Sequence, residues 1–309
     1  MIAAFTLNAS VDRRYIVEGA CPGAVNRVKQ CTATAGGKGL NVARVIHSLG
    51  ESVIAGGIAG GDLGNFIRHS LDREGIAHHF TPAEGETRCC INICDIASGQ
   101  QTEYLEPGLT VQPEEYAAFL ADFDELCAQS QVVILSGSLP RGLTADTYGA
   151  LVTRAKCLGR PVLLDASGEA LRMALSARPS FIKPNEDEIR ALVPGIPQAE
   201  EELVCAARAL REQGVSRVVI SLGKRGAVMA GESGLYRAPP PALNAVNTVG
   251  CGDAMTAAFA VSVCRGMSDR EALRYAVAVS AASAMCPGTG EVRQQDVKDL
   301  FSAVTVDSL

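Results

Sequence analysis

Short apolar runs alternate along this chain with segments of helical periodicity. Five runs rich in branched side chains, each closed by Gly, Ser, Asp or Pro, have the length of buried strands: IAAFTLN, VVILSGS, VLLDASG, FIKPNE and RVVISLG. Between them lie amphipathic segments such as residues 40–49, where Val42, Val45 and Leu49 share one helical face. This alternation predicts an α/β fold, with a doubly wound, mostly parallel sheet and helices on both faces.

Two segments interrupt the alternation, at about residues 11–34 and 87–106. In the second, RCCINICDI and QTEYLE alternate like strands on either side of the turn at residues 97–100. We expect a small accessory sheet there. Because no Pro- or Ser-rich linker separates these segments from the rest, residues 1–309 are expected to form a single domain into which this sheet is inserted.

Composition argues against several partners and locations. The formal net charge of −6 offers no basic face for nucleic acid. The N-terminus lacks the pattern of a signal peptide, and the longest apolar stretch, near residues 254–264, is too short to cross a bilayer. Eleven cysteines without a CxxC pair indicate reduced thiols. We therefore expect a cytoplasmic protein without nucleic-acid or membrane partners.

The segment TVGCGDAMT, which opens a long apolar helix, has the strongest chemical signal. Gly250 and Gly252 let the backbone approach a ligand, and the unpaired N–H groups of the first helical turn, including that of Cys251, would bind an anion. Asp253 in this turn is placed to accept a proton from a bound hydroxyl. On spacing alone, an acidic residue that merely begins a buried helix is an equally good interpretation.

Three further turns adjoin predicted strands or helices, and the weakest of them runs from Ser221 to Gly226 after the strand VVI. Gly37, Lys38 and Asn41 open the helix of residues 40–49 and suit a phosphorylated or polyhydroxylated ligand, although a turn with a solvated lysine is the alternative. The turn is not a P-loop, because no Ser or Thr follows the lysine. Asn185 and Glu188 lie three apart and could hold hydrated Mg²⁺; on spacing alone, a solvated acidic turn is the simpler interpretation.

Taken in order, seven segments resemble the signature series of the ribokinase-like (PfkB) sugar kinases: GGKGLNVARVIHSLG, TRCCINI, SGSLP, LLDASGEAL, FIKPNEDE, VVISLGKRGA and NTVGCGDAMTAAF. The resemblance runs from about Leu7 to about Val297. It implies the ribokinase-like fold with a β-sheet lid built from the two interrupting segments, ATP as co-substrate, Mg²⁺ as cofactor, and a homodimer formed through the lids.

Within that family, AVNRVKQ, GETRCCI, QTEYLE and VQPEE are most similar to tagatose-6-phosphate kinases, while CGDAM is more similar to phosphofructokinases. The expected reaction converts tagatose 6-phosphate into tagatose 1,6-bisphosphate. The alternative is a 1-phosphofructokinase, which makes fructose 1,6-bisphosphate from fructose 1-phosphate, and a remote one is a non-catalytic sugar-phosphate sensor. An NAD-dependent oxidoreductase is disfavoured because no G-x-G-x-x-G turn follows the first strand.

The resemblance also implies a role for each candidate residue. The catalytic group comprises the base and its anion hole: Asp253, with Gly250, Cys251 and Gly252. The substrate group holds the sugar and its existing phosphate: Asp12, Arg27, Gly37, Lys38, Asn41, Arg88 and Ser138. The nucleotide and Mg²⁺ side comprises Lys183, Asn185, Ser221, Gly223 and Gly226, with Glu188 and Asn185 near the metal. Since Cys251 stands where Ala or Ser is usual, we expect a thiol sensitive to alkylation in the active site.

Overall fold

The computed structural model of the protein describes residues 1–193, 195 and 199–309. The strands of these residues, in chain order, are β1 (Ile2–Thr6), β2 (Ser10–Val17), β3 (Gln30–Gly36), β4 (Val53–Ala59), β5 (Ala77–Pro82), β6 (Arg88–Asp95), β7 (Gln101–Leu105), β8 (Val132–Ser136), β9 (Val162–Asp165), β10 (Phe181–Ile182), β11 (Arg217–Ser221), β12 (Ala227–Ala230), β13 (Leu235–Ala238) and β14 (Asp307–Ser308). The α-helices are α1 (Lys38–Ser48), α2 (Gly61–Glu74), α3 (Pro113–Ala128), α4 (Thr147–Cys157), α5 (Gly168–Ala174), α6 (Glu186–Leu192), α7 (Glu200–Glu212), α8 (Cys251–Cys264), α9 (Asp269–Ala284) and α10 (Gln294–Ala303).

The large sheet has the strand order β14-β13-β12-β11-β10-β9-β8-β1-β4-β5. Its strands from β11 to β5 pair in parallel, and β12, β13 and β14 add an antiparallel edge. Strand β1 lies between β4 and β8, so the chain builds the sheet outward in both directions from this point. Such a reversal of strand order opens a crevice at the carboxyl ends of the strands. The predicted mostly parallel α/β fold is confirmed.

Two apolar layers bury the two faces of the large sheet. On one face, α1, α8 and α9 contribute Leu40, Phe259 and Leu273, all of them buried. On the other, α3 and α7 contribute Phe123 and Leu203. Helix α8 is buried along residues 253–262, against α1 and α9, which explains why its sequence is apolar on every side. Its first turn is thereby held rigidly at the crevice.

Strands β3, β2, β6 and β7 form a separate sheet in that order, called the small sheet below. Strand β2 is antiparallel to β3 and parallel to β6, which pairs in turn with antiparallel β7. Both interrupting sequence segments supply its strands, so the predicted small separate sheet is confirmed. Its action as a lid and the single-domain organisation stay predictions.

The described helices were also compared with the length and apolarity that a membrane span requires. None of them meets both requirements.

Candidate active site

A cleft of about 950 Å³ is lined by the small sheet on one side and by loops of the large sheet on the other. The small sheet contributes Asp12 and Arg88. On the opposite side, Lys183 and Ser221 lie at the ends of strands of the large sheet, next to the first turn of α8. The cleft therefore lies at the crevice that the strand order creates, where open α/β sheets bind ligands.

The first turn of α8 presents backbone amides to this cleft. Gly250 precedes the helix with φ +85°, in the left-handed region that favours glycine, and a Cβ there would lie 2.7 Å from the Cγ2 methyl of Thr289. Ala254 donates to the Gly250 carbonyl at 2.9 Å and is the residue at which regular i to i−4 bonding begins. The amides of Gly252 and Asp253 precede this point and have no partner within the helix. Since Gly252 and Asp253 line the cleft, these amides are available to an anion there.

Asp253 is a buried carboxylate at the end of this cleft, with 5% of its surface exposed. Its Oδ2 accepts a hydrogen bond of 2.9 Å from the side-chain NH₂ of Asn41. Burial, reinforced by the negative charge of Asp165, raises the pKa of Asp253 to about 6. A carboxylate with this pKa is ionised at neutral pH and is close to the range in which a general base works best.

Asp165 is a buried charge that the sequence analysis did not single out, although the segment LLDASGEAL contains it. It is 1% exposed and pairs with Lys38 at 3.4 Å and Lys183 at 3.6 Å, while the Thr256 hydroxyl donates to it at 3.2 Å. Burial opposes its ionisation, but the charges of Lys183 and Lys38 prevail and lower the pKa of Asp165. Its position at the carboxyl end of a buried strand was the available signal.

Gly252, in the first turn of α8, leaves room for the side chain of Lys183. A Cβ at this position would lie 3.1 Å from the Lys183 Nζ. The lysine ammonium therefore lies directly beside the helix N-terminus, and the two features place positive charge on the same side of the cleft.

Asp12 and Arg88 project from the small sheet into the cleft. Asp12 accepts a 2.6 Å hydrogen bond from the Ser10 hydroxyl, and burial raises the pKa of its carboxyl group. The carboxylate lies against Gly36, where any Cβ would overlap it. Arg88 donates to the Asn8 carbonyl at 2.9 and 3.2 Å and to the Glu106 carbonyl at 3.3 Å. Backbone atoms thus fix its guanidinium at the cleft wall.

The other predicted substrate residues divide into two groups. Gly37, Lys38 and Asn41 line the cleft. Within the described part of the chain, Arg27 and Ser138 are not among the lining residues. Arg27 is exposed in the connection between β2 and β3, and the Ser138 hydroxyl accepts from the Asn8 side chain at 3.2 Å. Ser138 therefore supports Asn8, the residue whose carbonyl holds Arg88, and its contact with a substrate stays a prediction.

The predicted nucleotide residues lie at the ends of β10 and β11. Lys183, Asn185 and Ser221 line the cleft. Gly223 and Gly226 form the tight turn between β11 and β12, closed by a 3.0 Å bond from the Gly226 amide to the Gly223 carbonyl. They are not cleft-lining residues in the part of the chain that the structure describes.

Asn185 and Glu188 cap α6 reciprocally. The Glu188 amide donates to Asn185 Oδ1 at 2.8 Å, and the Asn185 amide donates to Glu188 Oε2 at 2.9 Å. Both side chains nevertheless line the cleft, and each retains oxygen lone pairs beyond the cap. The described residues contain no group of three or more His, Cys, Asp or Glu that could hold a metal. The donor set thus fits Mg²⁺ that keeps most of its waters and is shared with phosphates.

The thiol of Cys251 does not join the cleft lining of the described residues. Its sulfur lies 4.0 Å from the Asn247 carbonyl, and burial with the nearby charge of Asp253 raises the pKa of the thiol to about 11. Because the thiolate is the reactive species, the raised pKa argues against easy alkylation, and the alkylation-sensitive thiol stays a prediction. The helix turns this side chain away from the cleft, and the Cys251 amide donates to the Thr248 carbonyl at 3.4 Å.

Comparisons with known proteins agree with this geometry. The pfkB family carbohydrate kinase family matches residues 5–296. Phosphofructokinase-2 from Escherichia coli, solved in complex with potassium, is 29% identical with a TM-score of 0.91, and 98% of each chain is covered. The same enzyme in complex with fructose-6-phosphate gives 28% identity and a TM-score of 0.90, again with 98% of each chain covered. Arabidopsis thaliana ribokinase, complexed with ribose and ATP, shares the fold at 22% identity and a TM-score of 0.80, covering 97% of this chain and 98% of that chain.

Proposed function

The chain belongs to the pfkB family of carbohydrate kinases and is an ATP-dependent sugar-phosphate kinase, and we propose that its acceptor is a ketohexose monophosphate, with tagatose 6-phosphate preferred. One observation carries the proposed chemistry: the buried carboxylate of Asp253 lies in the first turn of α8, beside free amides and two lysines. A base and an anion site next to each other are what phosphoryl transfer to a hydroxyl requires.

In the proposed reaction Asp253 accepts the proton of the acceptor hydroxyl as its oxygen attacks the γ-phosphorus of ATP. The bond from the γ-phosphorus to the bridging oxygen breaks, the electron pair leaves with ADP, and the proton remains on Asp253. The free amides of Gly252 and Asp253, in the turn that Gly250 and Cys251 open, and the ammonium group of Lys183 stabilise the negative charge on the transferring group. These donors are fixed before the substrate arrives, so they need no reorganisation during the step.

Asn185 and Glu188 are the residues proposed to hold hydrated Mg²⁺ on the nucleotide side. When bound, the ion would neutralise charge on the nucleotide phosphates. The capping box fixes the two side chains at the N-terminus of α6, and both residues line the cleft with oxygen lone pairs to spare. Ser221 lies next to them, joined through a bridge between Asn185 and Ser221. Gly223 and Gly226 shape the turn that follows.

The existing phosphate of the sugar is proposed to bind at Arg88 and Lys38, with Asp12 and Asn41 orienting the sugar hydroxyls. Arg88 and Asp12 are carried by the small sheet, whereas Lys38 and Asn41 belong to α1. The substrate would therefore contact both walls, and movement of the small sheet would enclose it as a lid. Arg27 can take part only if its exposed loop moves toward the cleft.

The preference for tagatose 6-phosphate is supported by the sequence of the small sheet and its surroundings, including GETRCCI and QTEYLE. Fructose 1-phosphate is the alternative, because CGDAM is more similar to phosphofructokinases. Fructose 6-phosphate is a further candidate, since a structure 28% identical over 98% of this chain was solved in complex with it. All three share the anionic group that Arg88 and Lys38 would bind.

We further propose a cytoplasmic homodimer in which two small sheets pack together. Val25, Val28, Ile96, Tyr104 and Leu105, which lie in or beside the small sheet, are exposed apolar side chains. Apolar area of this kind is suited to an interface. The cytoplasmic location is proposed because the eleven cysteines include no CxxC pair, a pattern typical of reduced thiols.

The deciding experiment is a coupled ADP-release assay with MgATP that compares kcat/KM for tagatose 6-phosphate, fructose 6-phosphate, fructose 1-phosphate and unphosphorylated fructose. We expect tagatose 6-phosphate to be used best and free fructose poorly. A preference for either fructose phosphate would change the substrate but leave the residue roles as proposed. Efficient use of free fructose would show that Arg88 and Lys38 do not bind a substrate phosphate.

A non-catalytic sugar-phosphate sensor gives a different result in the same assay. Such a protein would bind the sugar phosphate in calorimetry without any ATP turnover. The Asp253→Asn variant serves as the negative control for turnover.

A further inference from the structure

Arg44 lies in α1, one helical turn after Asn41, and its guanidinium joins three parts of the protein. One Nη donates to the Ala35 carbonyl of β3 at 2.6 Å, and Nε donates to Glu74 Oε2 of α2, also at 2.6 Å. The other Nη donates to Asn41 Oδ1 at 3.4 Å. With 13% of its side chain exposed, Arg44 is held in one orientation by these contacts. Arg44 has no role in the proposed reaction, although it lines the cleft.

Asn41 has two chemically different neighbours, Arg44 on one side and Asp253 on the other. An arginine can only donate hydrogen bonds, and an ionised carboxylate can only accept them. The asparagine side chain has one donor end and one acceptor end. Only the orientation with Oδ1 toward Arg44 and NH₂ toward Asp253 satisfies both neighbours, and the reverse orientation would place two donors and two acceptors face to face.

We propose that Arg44 is a positioning residue that holds the Asn41 amide in the orientation in which its NH₂ group faces the catalytic base. The proposal rests on the proposed role of Asp253 as that base. Glu74 helps by fixing Arg44, and it is itself held by a 3.0 Å bond from the Ser70 hydroxyl. Because Glu74 pairs with the guanidinium, Arg44 acts mainly through this hydrogen bond and little through its net charge.

The readout is the pH at which kcat falls on the acidic side. Asp253 is surrounded by Asp165, Lys38 and Lys183, and also by Asn41, whose hydrogen bond favours the ionised carboxylate. Without Arg44 the amide is free to turn, so Asp253 loses a donor to its charged form. The acid limb of the pH profile, the range in which kcat falls as pH decreases, should then move to higher pH by about one unit. This is the size expected for the loss of one hydrogen bond to a charged group.

The experiment compares wild type, Arg44→Met and Arg44→Lys at saturating MgATP and sugar phosphate. Both variants should have kcat lowered about fivefold at pH 6 and little changed at pH 8. Lysine retains the positive charge near Asp12 but loses the planar fork that reaches three acceptors. An acid limb restored to its wild-type pH by lysine would show that charge alone matters and would overturn the proposal.

Arg68→Met is the matched control, because Arg68 of α2 also fixes backbone carbonyls, those of Ala59 and Phe80 at 3.3 Å each, and lies outside the cleft lining of the described residues. It should lower Tm without moving the acid limb. If Arg68→Met moved the limb equally, or if Arg44→Met lowered Tm with an unmoved limb, Arg44 would have only a structural role.

Asn41→Ala tests whether Arg44 acts through the amide. This variant should shift the limb by itself, and adding Arg44→Met should shift it no further. Additive shifts would overturn the proposal. Failure of the base assignment is separate: it appears as turnover retained by Asp253→Asn. If Asp253→Asn abolishes the acid limb but Arg44→Met leaves it at its wild-type pH, the assignment of Asp253 as base stands and the Arg44 proposal fails.

Discussion

At the scale of single residues, Asp253 is kept in surroundings that oppose its charge. It is buried, faces Asp165, and has a pKa raised to about 6. We expect Asp253→Asn to lower kcat by at least 10²-fold, because the amide cannot accept the hydroxyl proton. Nucleotide affinity should stay within about threefold of wild type. Steady-state kinetics and calorimetry measure both, and substantial remaining turnover would remove Asp253 from the role of base.

The same substitution should raise stability, with a defined pH dependence. A carboxyl group whose folded-state pKa lies above its ordinary value of 3.8 stabilises the protein only at low pH, and this contribution is lost as pH rises through about 6. The Tm advantage of Asp253→Asn should therefore be absent near pH 4, grow toward pH 6 and remain constant above it, at a few degrees. Thermal unfolding across this range tests it, and an advantage that shrinks with rising pH would contradict it.

Wild-type activity should follow the ionisation of Asp253. Since the base must be ionised, kcat should be constant at neutral pH and fall as pH drops through about 6. Below that pH it should decrease about tenfold per unit if a single proton is involved. A pH profile of kcat at saturating substrates gives the result, and a flat profile down to pH 5 would contradict the assignment.

Arg88 should affect the sugar phosphate and not the nucleotide. Arg88→Ala removes a guanidinium that the Asn8 and Glu106 carbonyls fix at the cleft wall. We expect KM for the sugar phosphate to rise about 10- to 100-fold, as for loss of a charged hydrogen bond, with KM for ATP unchanged. Kinetics with unphosphorylated fructose are the control, since its KM should not respond. An unchanged KM for the sugar phosphate would place the phosphate elsewhere.

At the scale of elements, the N-terminus of α8 depends on the absence of a side chain at Gly252. An alanine there would press on the Lys183 ammonium group, whose Nζ would lie 3.1 Å from the new Cβ. We expect little change in Tm for Gly252→Ala, because the Lys183 side chain can move away from the new methyl group. We expect kcat to fall about tenfold or more, because this movement takes the positive charge away from the anion site. Gly149→Ala in α4 is the matched control, with its nearest contact at 3.5 Å. Equal effects of the two variants on kcat would show that the absence of a side chain at Gly252 has no specific role in catalysis.

At the scale of the whole molecule, the two walls of the cleft should differ in mobility. The small sheet carries exposed strands β3 and β7, whereas β1 and β8 of the large sheet are buried. Hydrogen exchange should therefore slow in residues 10–36 and 88–105 when sugar phosphate and a non-hydrolysable ATP analogue are added, and change little in β1 and β8. Arg88→Ala with the same ligands should reduce the protection. Equal protection of both sheets would contradict lid closure.

The α/β architecture, the small separate sheet and most segments that line the cleft could be predicted from the sequence, because periodicity and glycine-rich turns are local properties. It also indicated Asp253, Lys183 and Asn41 as candidates. Which side chains meet depends on the folded chain: Asp165 ends β9, Lys38 begins α1 and Lys183 follows β10, and the three pair in the interior. Likewise, Cys251 turns away from the cleft. Such contacts depend on strand order and helix rotation, which join residues far apart in the chain and leave no local pattern.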